Sequence, residues 1–171
     1  MNSKLTLLAV IEIISALSLG IAILAATYQV LKYVAQRRYG IGENNQAFGI
    51  FMASTLFSVG YLVSGVIRPL LSLFRILATR DISTVQLAAT FIGYGALYVF
   101  LAFIAALIVI FLSVTIYSYI TPTDEAAEMK NNNIAVALVV ASIIITLSLM
   151  TSDGVELLIE SFIPYPPMYP K

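Results

Sequence analysis

The sequence has 171 residues, of which 60% are hydrophobic and 11% are charged, and its formal net charge is zero. So few charged residues cannot cover a globular surface, and the composition therefore predicts an integral membrane protein and excludes a soluble one. The balanced charge leaves no basic surplus for a nucleic-acid partner. Because the chain has neither His nor Cys, we expect no haem, iron–sulfur or other metal site and no cofactor.

The first apolar stretch runs from about Leu5 to Val34, which is longer than a membrane-spanning helix requires. We predict a retained transmembrane helix that tilts or protrudes into one headgroup region. Ser18, Ala22 and Ala26 recur at a spacing of four residues and so share one helical face. Such small residues let a neighbouring helix approach closely, and they predict a packing surface.

Glu12 is the one carboxylate inside this first stretch. A charged group near the centre of a bilayer costs on the order of 3 kcal/mol, so a partner or a water-filled path should offset it. One interpretation is an intramembrane cation or proton site. The other is that the helix protrudes at its N-terminal end, which leaves Glu12 near the headgroups and free to pair with Lys4 or Arg68.

The second apolar stretch runs from Asn45 to about Ile67, after a short polar turn. Asn44 or Asn45 suits the N-cap of this helix, because its side chain can accept a hydrogen bond from an otherwise unpaired amide. We expect Arg68-Pro69 to end the helix, since proline disfavours helical geometry at the residue before it. Small residues again recur and predict packing faces: Gly49, Ala53, Gly60 and Ser64.

A short amphipathic segment follows this proline. Its apolar side chains share one helical face: Leu70, Leu73, Phe74 and Leu77. Ser72, Arg75 and Thr79 fall elsewhere on the same helix. The pattern is typical of a short helix that lies in the membrane interface.

The third stretch opens with Ser83 and Gln86, whose spacing matches a capping box at a helix N-terminus. It stays apolar from about Thr84 to Tyr119, far longer than a bilayer requires, so we expect the helix to project beyond the membrane. Pro122 follows and ends it. A short acidic helical turn is predicted next, before a run of three asparagines.

The fourth stretch, Asn131 to Met150, contains no charge and is long enough to cross a bilayer. Ala137 and Ala141 form its small-residue packing face. Three acidic residues follow at helical spacing: Asp153, Glu156 and Glu160. They share one face if the helix continues, either as a cation-gathering or partner-binding stripe or as the solvated face of an amphipathic extension.

The second and fourth stretches resemble each other, which indicates an internal repeat. Sliding one onto the other aligns Asn45 with Asn133, Ala47 with Ala135, Ala53 with Ala141 and Ser54 with Ser142. The sequence therefore predicts an all-α, integral membrane four-helix bundle built from two repeated helix pairs, with a short interfacial helix and an extended Pro-rich tail. The first pair with its linker covers residues 1–83, and the second pair with the tail covers residues 84–171. Both termini are expected on one side of the membrane.

A Tyr-rich helix end, an acidic segment and the motif Asn133-Ile134-Ala135-Val136-Ala137 occur in that order. This pattern resembles the YjfL-like family of small four-helix bacterial membrane proteins, which have an internal two-helix repeat. The first copy departs from the motif at Phe48 and Gly49. The resemblance implies a prokaryotic plasma membrane location, and it implies no activity, substrate or site, because the family has none established.

The C-terminal segment from Ile163 to Lys171 contains four prolines and favours extended geometry. Tyr165, Met168 and Tyr169 give this segment side chains of the kind enriched at protein interfaces. We expect these three residues to dock onto a partner.

Two functions fit these features. The chain has no nucleophile–base pair, no Gly-rich phosphate loop and no metal-ligand spacing, so we expect it not to be an enzyme. The first hypothesis is a structural or accessory subunit that binds other membrane proteins or copies of itself within the lipid bilayer. The alternative is a conduit for an ion or small solute, with Glu12 as its intramembrane carboxylate.

Overall fold

The computed structural model describes residues 3–42, 44–78, 83–120 and 124–163, and within these ranges the chain is all-α, without a β-strand. Six α-helices and one π-helical turn follow each other along the described chain. Their bounds are α1 (Ser3–Val34), the π-helical turn (Ala35–Tyr39), α2 (Gln46–Ser64), α3 (Ile67–Ala78), α4 (Thr84–Ile120), α5 (Glu125–Lys130) and α6 (Ile134–Glu160).

Three helical stretches of the described chain are long and apolar enough to cross a membrane: Gln46–Phe74, Val85–Ile120 and Ile134–Glu160. These stretches confirm the expected all-α class and indicate a membrane protein. Helix α1 is continuous over 32 residues. Most side chains of its first half lie outside the described part, so its membrane crossing stays a prediction.

The chain leaves α1 through the π-helical turn, which Gly40 ends. Gly40 has φ 63° and ψ 31°, a left-handed conformation that glycine adopts without strain. The Ala35 carbonyl accepts hydrogen bonds from the amides of both Gly40 and Ile41, the second at 3.1 Å. This arrangement reverses the chain and directs it into α2.

The break between α2 and α3 differs from the prediction. Helix α2 ends at Ser64, ahead of the expected end near Ile67, and α3 begins at Ile67 with Pro69 inside its first turn. Proline is tolerated there because the amide it lacks would have no helical partner in the first turn. Pro69 therefore begins a helix here and does not terminate one.

Helix α3 places its apolar face against protein. Leu73 and Leu77 are buried, and the rings of Phe74 and Phe91 meet edge to face with centroids 5.7 Å apart. Gly95 allows this approach, because a Cβ atom there would lie 3.3 Å from the Leu70 side chain. The amphipathic pattern is therefore confirmed, and its apolar side packs on α4.

The capping predictions for α2 and α4 are confirmed. The Phe48 amide donates to Asn45 Oδ1 at 2.8 Å, so Asn45 caps α2. Ser83 and Gln86 form the reciprocal capping box at the start of α4, with distances of 3.3 and 3.4 Å. The predicted acidic turn is α5, and α6 continues through the three acidic residues to Glu160.

Helices α2 and α6 lie side by side and run in the same direction. At their N-terminal ends Asn45 contacts the carbonyl of Met129, just before α6 begins. At the other end Arg68, in the first turn of α3 directly after α2, contacts Glu156 of α6. Helix α4 runs against both and packs on each, while α1 packs on α2. The main core lies between α2, α4 and α6 and is filled by Val59, Leu62, Tyr98, Val140 and Ile144, among others.

Candidate functional site

The N-terminal ends of α2 and α6 meet at a set of asparagines, and we call this the asparagine end of the molecule (Asn45, Asn132 and Asn133). Asn45 has two roles, because its Oδ1 caps α2 while its Nδ2 donates to the Met129 carbonyl at 2.5 Å and to the Lys130 carbonyl at 3.4 Å. The same side chain thus starts one helix and joins it to the segment before the other.

Asn132 and Asn133 complete this junction. Asn132 has φ 59°, a left-handed conformation that asparagine tolerates better than most residues, and its Oδ1 accepts from the Ala47 amide at 3.0 Å. Asn133 caps α6 through the Val136 amide and donates to Glu128 Oε2 at 2.7 Å. Two of the three asparagines therefore link the halves of the chain, and the third acts within the second half.

A cavity of about 310 Å³ lies between the C-terminal end of α1 and the start of α2. Its lining is polar towards the asparagine end and apolar towards the middle of the molecule. The polar wall is formed by Lys32, Gln36 and Asn44, and the remaining wall by Tyr28, Ile41, Gly42, Phe48, Gly49 and Met52.

Basic residues occur near the outer end of this cavity. Lys32 is in the wall, and the Lys130 ammonium lies 4.0 Å from the position that a Cβ atom would occupy on Gly40. The Arg37 guanidinium lies 5.6 Å from the centre of the Tyr33 ring, a cation–π distance. None of the described lining residues is acidic.

Three hydroxyl groups are buried in the described core without a hydrogen-bond partner. They belong to Thr55 and Ser58 of α2 and to Ser148 of α6, each at most 1% exposed. Buried Ser113 and Thr27 differ, because each donates to the carbonyl four residues earlier in its own helix. An unpaired hydroxyl in an apolar environment costs roughly 1–3 kcal/mol, so these three groups need an explanation.

The opposite end of the α2–α6 pair, which we call the arginine end, carries the ion pair between Arg68, in the first turn of α3, and Glu156 of α6. Their closest atoms, Nη1 and Oε1, are 3.2 Å apart, and the Arg68 side chain is 79% exposed. Asp153 is exposed, whereas Val155 and Ile159 of the same helix are buried. The acidic residues thus lie on the polar side of an amphipathic extension of α6.

The predicted packing residues divide into two groups. Gly60 faces the Leu24 side chain of α1, and Ala137 and Ala141 are buried. The others are exposed within this single chain: Ser18, Ala22, Ala26, Gly49, Ala53 and Ser64. Their use in packing between chains stays a prediction.

The other predicted site residues fall outside the described part. The backbone of Glu12 belongs to α1, but its side chain lies outside the described residues. Tyr165, Met168 and Tyr169 also lie outside them. Among the described residues, no group of three acidic side chains is placed to hold a metal ion.

Sequence reasoning missed the cavity. Tyr28, Lys32 and Gln36 are spaced by four residues and therefore share one face of the helix. That spacing was a usable signal. The other wall could not be found in this way, because it depends on how far α2 stands from α1.

A family model described as Domain of Unknown Function (DUF350) matches residues 89–162. The match covers most of α4 together with α5 and α6, which is less than half of the chain. It supports the expected resemblance to an uncharacterised domain family, and it does not support the YjfL name specifically. No curated protein and no solved structure matches the chain.

Proposed function

We propose that the protein is a non-catalytic integral membrane protein that acts as a structural or accessory subunit in a homo- or hetero-oligomeric membrane complex. The observation that carries this proposal is the exposed small-residue face of α1, formed by Ser18, Ala22 and Ala26. Small residues at this spacing let helix backbones approach closely in a bilayer, where van der Waals packing drives association. Ala22 and Ala26 are exposed in the single chain, and a helix of another chain would fit against them.

The packing of the outer helices supports the same proposal. Helix α4 packs on both α2 and α6, whereas the described part of α1 packs on α2. The face of α1 away from α2 is thus available to a partner. Ala53 of α2 is also exposed and extends the available small-residue surface.

We further propose that the bundle consists of two repeated helix pairs, α1–α2 and α4–α6, with both termini on one side of the membrane. Asn45 and Asn133, which the repeat aligns, cap their helices in the same way. The residues of the Arg68–Glu156 pair are 88 positions apart, which is also the offset of the repeat. Cysteine labelling of Ser3 and Lys171 from opposite sides of the membrane would contradict this topology.

The oligomer hypothesis is tested by replacing Ala22 with Leu and measuring the mass of the purified full-length complex in mild detergent. The larger side chain separates backbones at the proposed contact, so we expect a shift to smaller species or the loss of a co-purifying protein. Ala96→Leu is a matched control, because Ala96 is exposed on α4. An unchanged mass in Ala22→Leu, with the control also unchanged, would mean that this face contacts lipid.

A second candidate function, a conduit for an ion or small solute, is favoured by the three unpaired hydroxyls of Thr55, Ser58 and Ser148. Hydroxyls inside a membrane bundle can contact water or an ion, and Glu12 would supply the charge. In proteoliposomes, Glu12→Gln should abolish proton or cation flux while the protein still folds. If the wild type shows no flux above empty liposomes, the conduit hypothesis fails.

A further inference from the structure

A buried serine lies on each of the three helices that form the main core: Ser58 of α2, Ser113 of α4 and Ser148 of α6. Residues four positions apart share one face of a helix. Each serine has a member of the main core four positions away on its own helix, namely Leu62, Tyr117 and Ile144 respectively. The three serines therefore lie on the faces through which α2, α4 and α6 meet.

Ser58 and Ser148 lie at nearly the same depth along the α2–α6 pair. These helices run in the same direction, and the Ala47–Asn132 hydrogen bond and the ion pair at the arginine end join residues 85 and 88 positions apart. A residue of α2 is thus level with the residue of α6 that stands 85–88 positions later. Ser148 stands 90 positions after Ser58. It is therefore displaced from the level of Ser58 by roughly 3–8 Å, at about 1.5 Å of rise per residue.

Ser113 of α4 lies at this depth as well. Helix α4 runs against α6, and the Tyr98 hydroxyl donates to the Phe162 carbonyl at 3.4 Å. Counted from this contact, Ser113 is 15 positions along α4 and Ser148 is 14 positions back along α6. Both serines are therefore roughly 21–23 Å from the contact along their helices. We call the set of Ser58, Ser113 and Ser148 the serine layer.

The serine layer has hydrogen-bonding capacity that its helices do not use. Within the described chain the hydroxyls of Ser58 and Ser148 have no hydrogen-bond partner, and neither has that of Thr55, about one turn before Ser58. The Ser113 hydroxyl donates to the Val109 carbonyl at 2.7 Å, and its oxygen can still accept. A buried polar group without a partner is destabilising, and ordered water is a common partner where the protein supplies none.

The serine layer also lies in a part of the bundle without charge. Helices α2 and α4 contain no charged residue, and α6 contains none before Asp153. Glu12 of α1 is 12 positions from Leu24, whose side chain faces Gly60 of α2. Since Gly60 is two positions after Ser58, the backbone of Glu12 lies roughly 18 Å along α1 from the serine layer. A cation bound there would have no adjacent counter-charge, which is costly in an apolar core.

We propose that the serine layer is a site for one or two ordered water molecules, which hydrogen-bond to Ser58, Ser113 and Ser148 and so link α2, α4 and α6 inside the bundle. Water is small and neutral, it both donates and accepts, and a buried water molecule makes about three hydrogen bonds. Thr55 provides a hydroxyl for the second molecule. The site is independent of the proposed subunit role, because it needs no partner chain. Flux in proteoliposomes is measured separately, so the conduit can fail while the water site stands.

The direction of a stability change distinguishes bound water from unpaired hydroxyls. In the full-length protein in detergent, Ser148→Ala removes one partner of the bound water, so we expect the thermal unfolding midpoint to fall by a few degrees. Alanine in place of an unpaired buried hydroxyl should instead raise the midpoint, because it removes a polar group that has no partner. Ser142→Ala is the matched control, because Ser142 is exposed on α6 and donates to the Leu138 carbonyl of its own helix. The midpoint of this control should not change.

A double variant tests whether α2 and α6 share the same water. If water joins both serines, its loss in Ser58→Ala leaves less for Ser148→Ala to remove. The fall in midpoint for the double variant should then be smaller than the sum of the two single falls. Combining Ser58→Ala with Ser142→Ala is the control, and its effects should add.

Radiolytic hydroxyl-radical labelling, measured by mass spectrometry, detects bound water in the wild type, because radicals formed from that water modify the side chains beside it. We expect modification of Leu62 and Ile144, which are buried and about one helical turn from the serines. Leu73 and Leu77 of α3 are similarly buried and should stay unmodified. In the double variant of the two serines, the modification of Ile144 should fall severalfold.

Any of four results would overturn the proposal. A higher midpoint in Ser148→Ala would show that this hydroxyl is unpaired, and fully additive falls in the double variant would show that no water is shared. Modification of Leu62 and Ile144 no greater than that of Leu73 and Leu77 would mean that no water lies beside the serines. Stabilisation by sodium or potassium chloride but not by choline chloride, lost in Ser148→Ala, would assign the serine layer to a cation.

Discussion

The two ends of the α2–α6 pair are joined by different chemistry. At the asparagine end, Asn45 and Asn132 make hydrogen bonds to backbone groups of the facing segment, and the buried alanines Ala47 and Ala137 pack between them. At the arginine end, one ion pair joins Arg68 to Glu156, with the Arg68 side chain 79% exposed. Close packing and paired backbone groups should therefore hold the asparagine end. The arginine end is held by one charge contact between an exposed Arg68 and a Glu156 side chain that is 17% exposed.

The two ends differ because breaking each contact has a different free-energy cost. A backbone carbonyl or amide at a packed junction has no water to replace its partner, so the loss of an asparagine costs the desolvation of the group left behind. An exposed arginine regains water when it leaves its carboxylate. The asparagine end should accordingly define how the two halves of the chain meet.

The largest effect is expected from overpacking the asparagine end with Ala137→Leu. Ala137 is fully buried in a small cluster with Ala35, Ile41, Ala47 and Met129. Extra methyl groups in a packed cluster cost roughly 1–3 kcal/mol, and here they also separate α2 from α6. Thermal unfolding in detergent should show a clear fall in midpoint, with Ala135→Leu, at an exposed position of α6, as the control. Equal midpoints for the two variants would mean that the junction is loosely packed.

Asn45→Ala should have the next largest effect, about 2 kcal/mol, because it removes both the cap of α2 and the donor to the Met129 carbonyl. Asn133→Ala is the natural comparison, since the two residues align in the proposed repeat. Asn133 caps α6 but donates to the Glu128 side chain, which can turn to water, so about 1 kcal/mol is expected. If Asn133→Ala lowers the unfolding midpoint more than Asn45→Ala, the link between the halves is not what stabilises this end.

Two substitutions of Asn132 distinguish the contribution of its backbone conformation from that of its hydrogen bond. Asn132→Ala loses the bond to the Ala47 amide and forces alanine into a left-handed conformation at φ 59°, which together cost roughly 2 kcal/mol. Asn132→Gly loses the bond but keeps the conformation, and should cost about 1 kcal/mol less. The difference between the thermal unfolding midpoints of the two variants measures the cost of the left-handed conformation. Identical values would mean that the backbone conformation carries no strain.

Much of the helical framework could be predicted from the sequence, because its signals are local. The caps at Asn45 and Ser83 depend on side chains that reach amides three residues away, and the structure confirms both. The apolar face of α3 was also predictable from spacing. The partner of that face was not predictable, because lipid and protein are both apolar. The structure shows that it packs on α4, and the interfacial position of α3 stays a prediction.

The position of the break before α3 and the cavity could not be predicted in the same way. Pro69 is compatible with the end of one helix or the first turn of the next, and the choice depends on the packing of Leu73 and Leu77. Small residues at a spacing of four indicate a packing face, but they do not predict which element packs against it. Gly60 faces α1, whereas Gly49 on the same helix borders the open cavity.

The smallest effect is expected at the arginine end, from Arg68→Gln. The Arg68 guanidinium is 79% exposed, and the Glu156 carboxylate that it leaves behind is 17% exposed and keeps some contact with water. The loss should therefore be about 1 kcal/mol and should shrink as salt is added. Glu156→Gln is the matched change on the partner, and the double variant should cost little more than either single one. Thermal unfolding midpoints of the two single variants and the double variant, at low and high salt, measure these losses. A loss as large as that of Asn45→Ala, unaffected by salt, would mean that the two ends contribute equally to the pairing of α2 with α6.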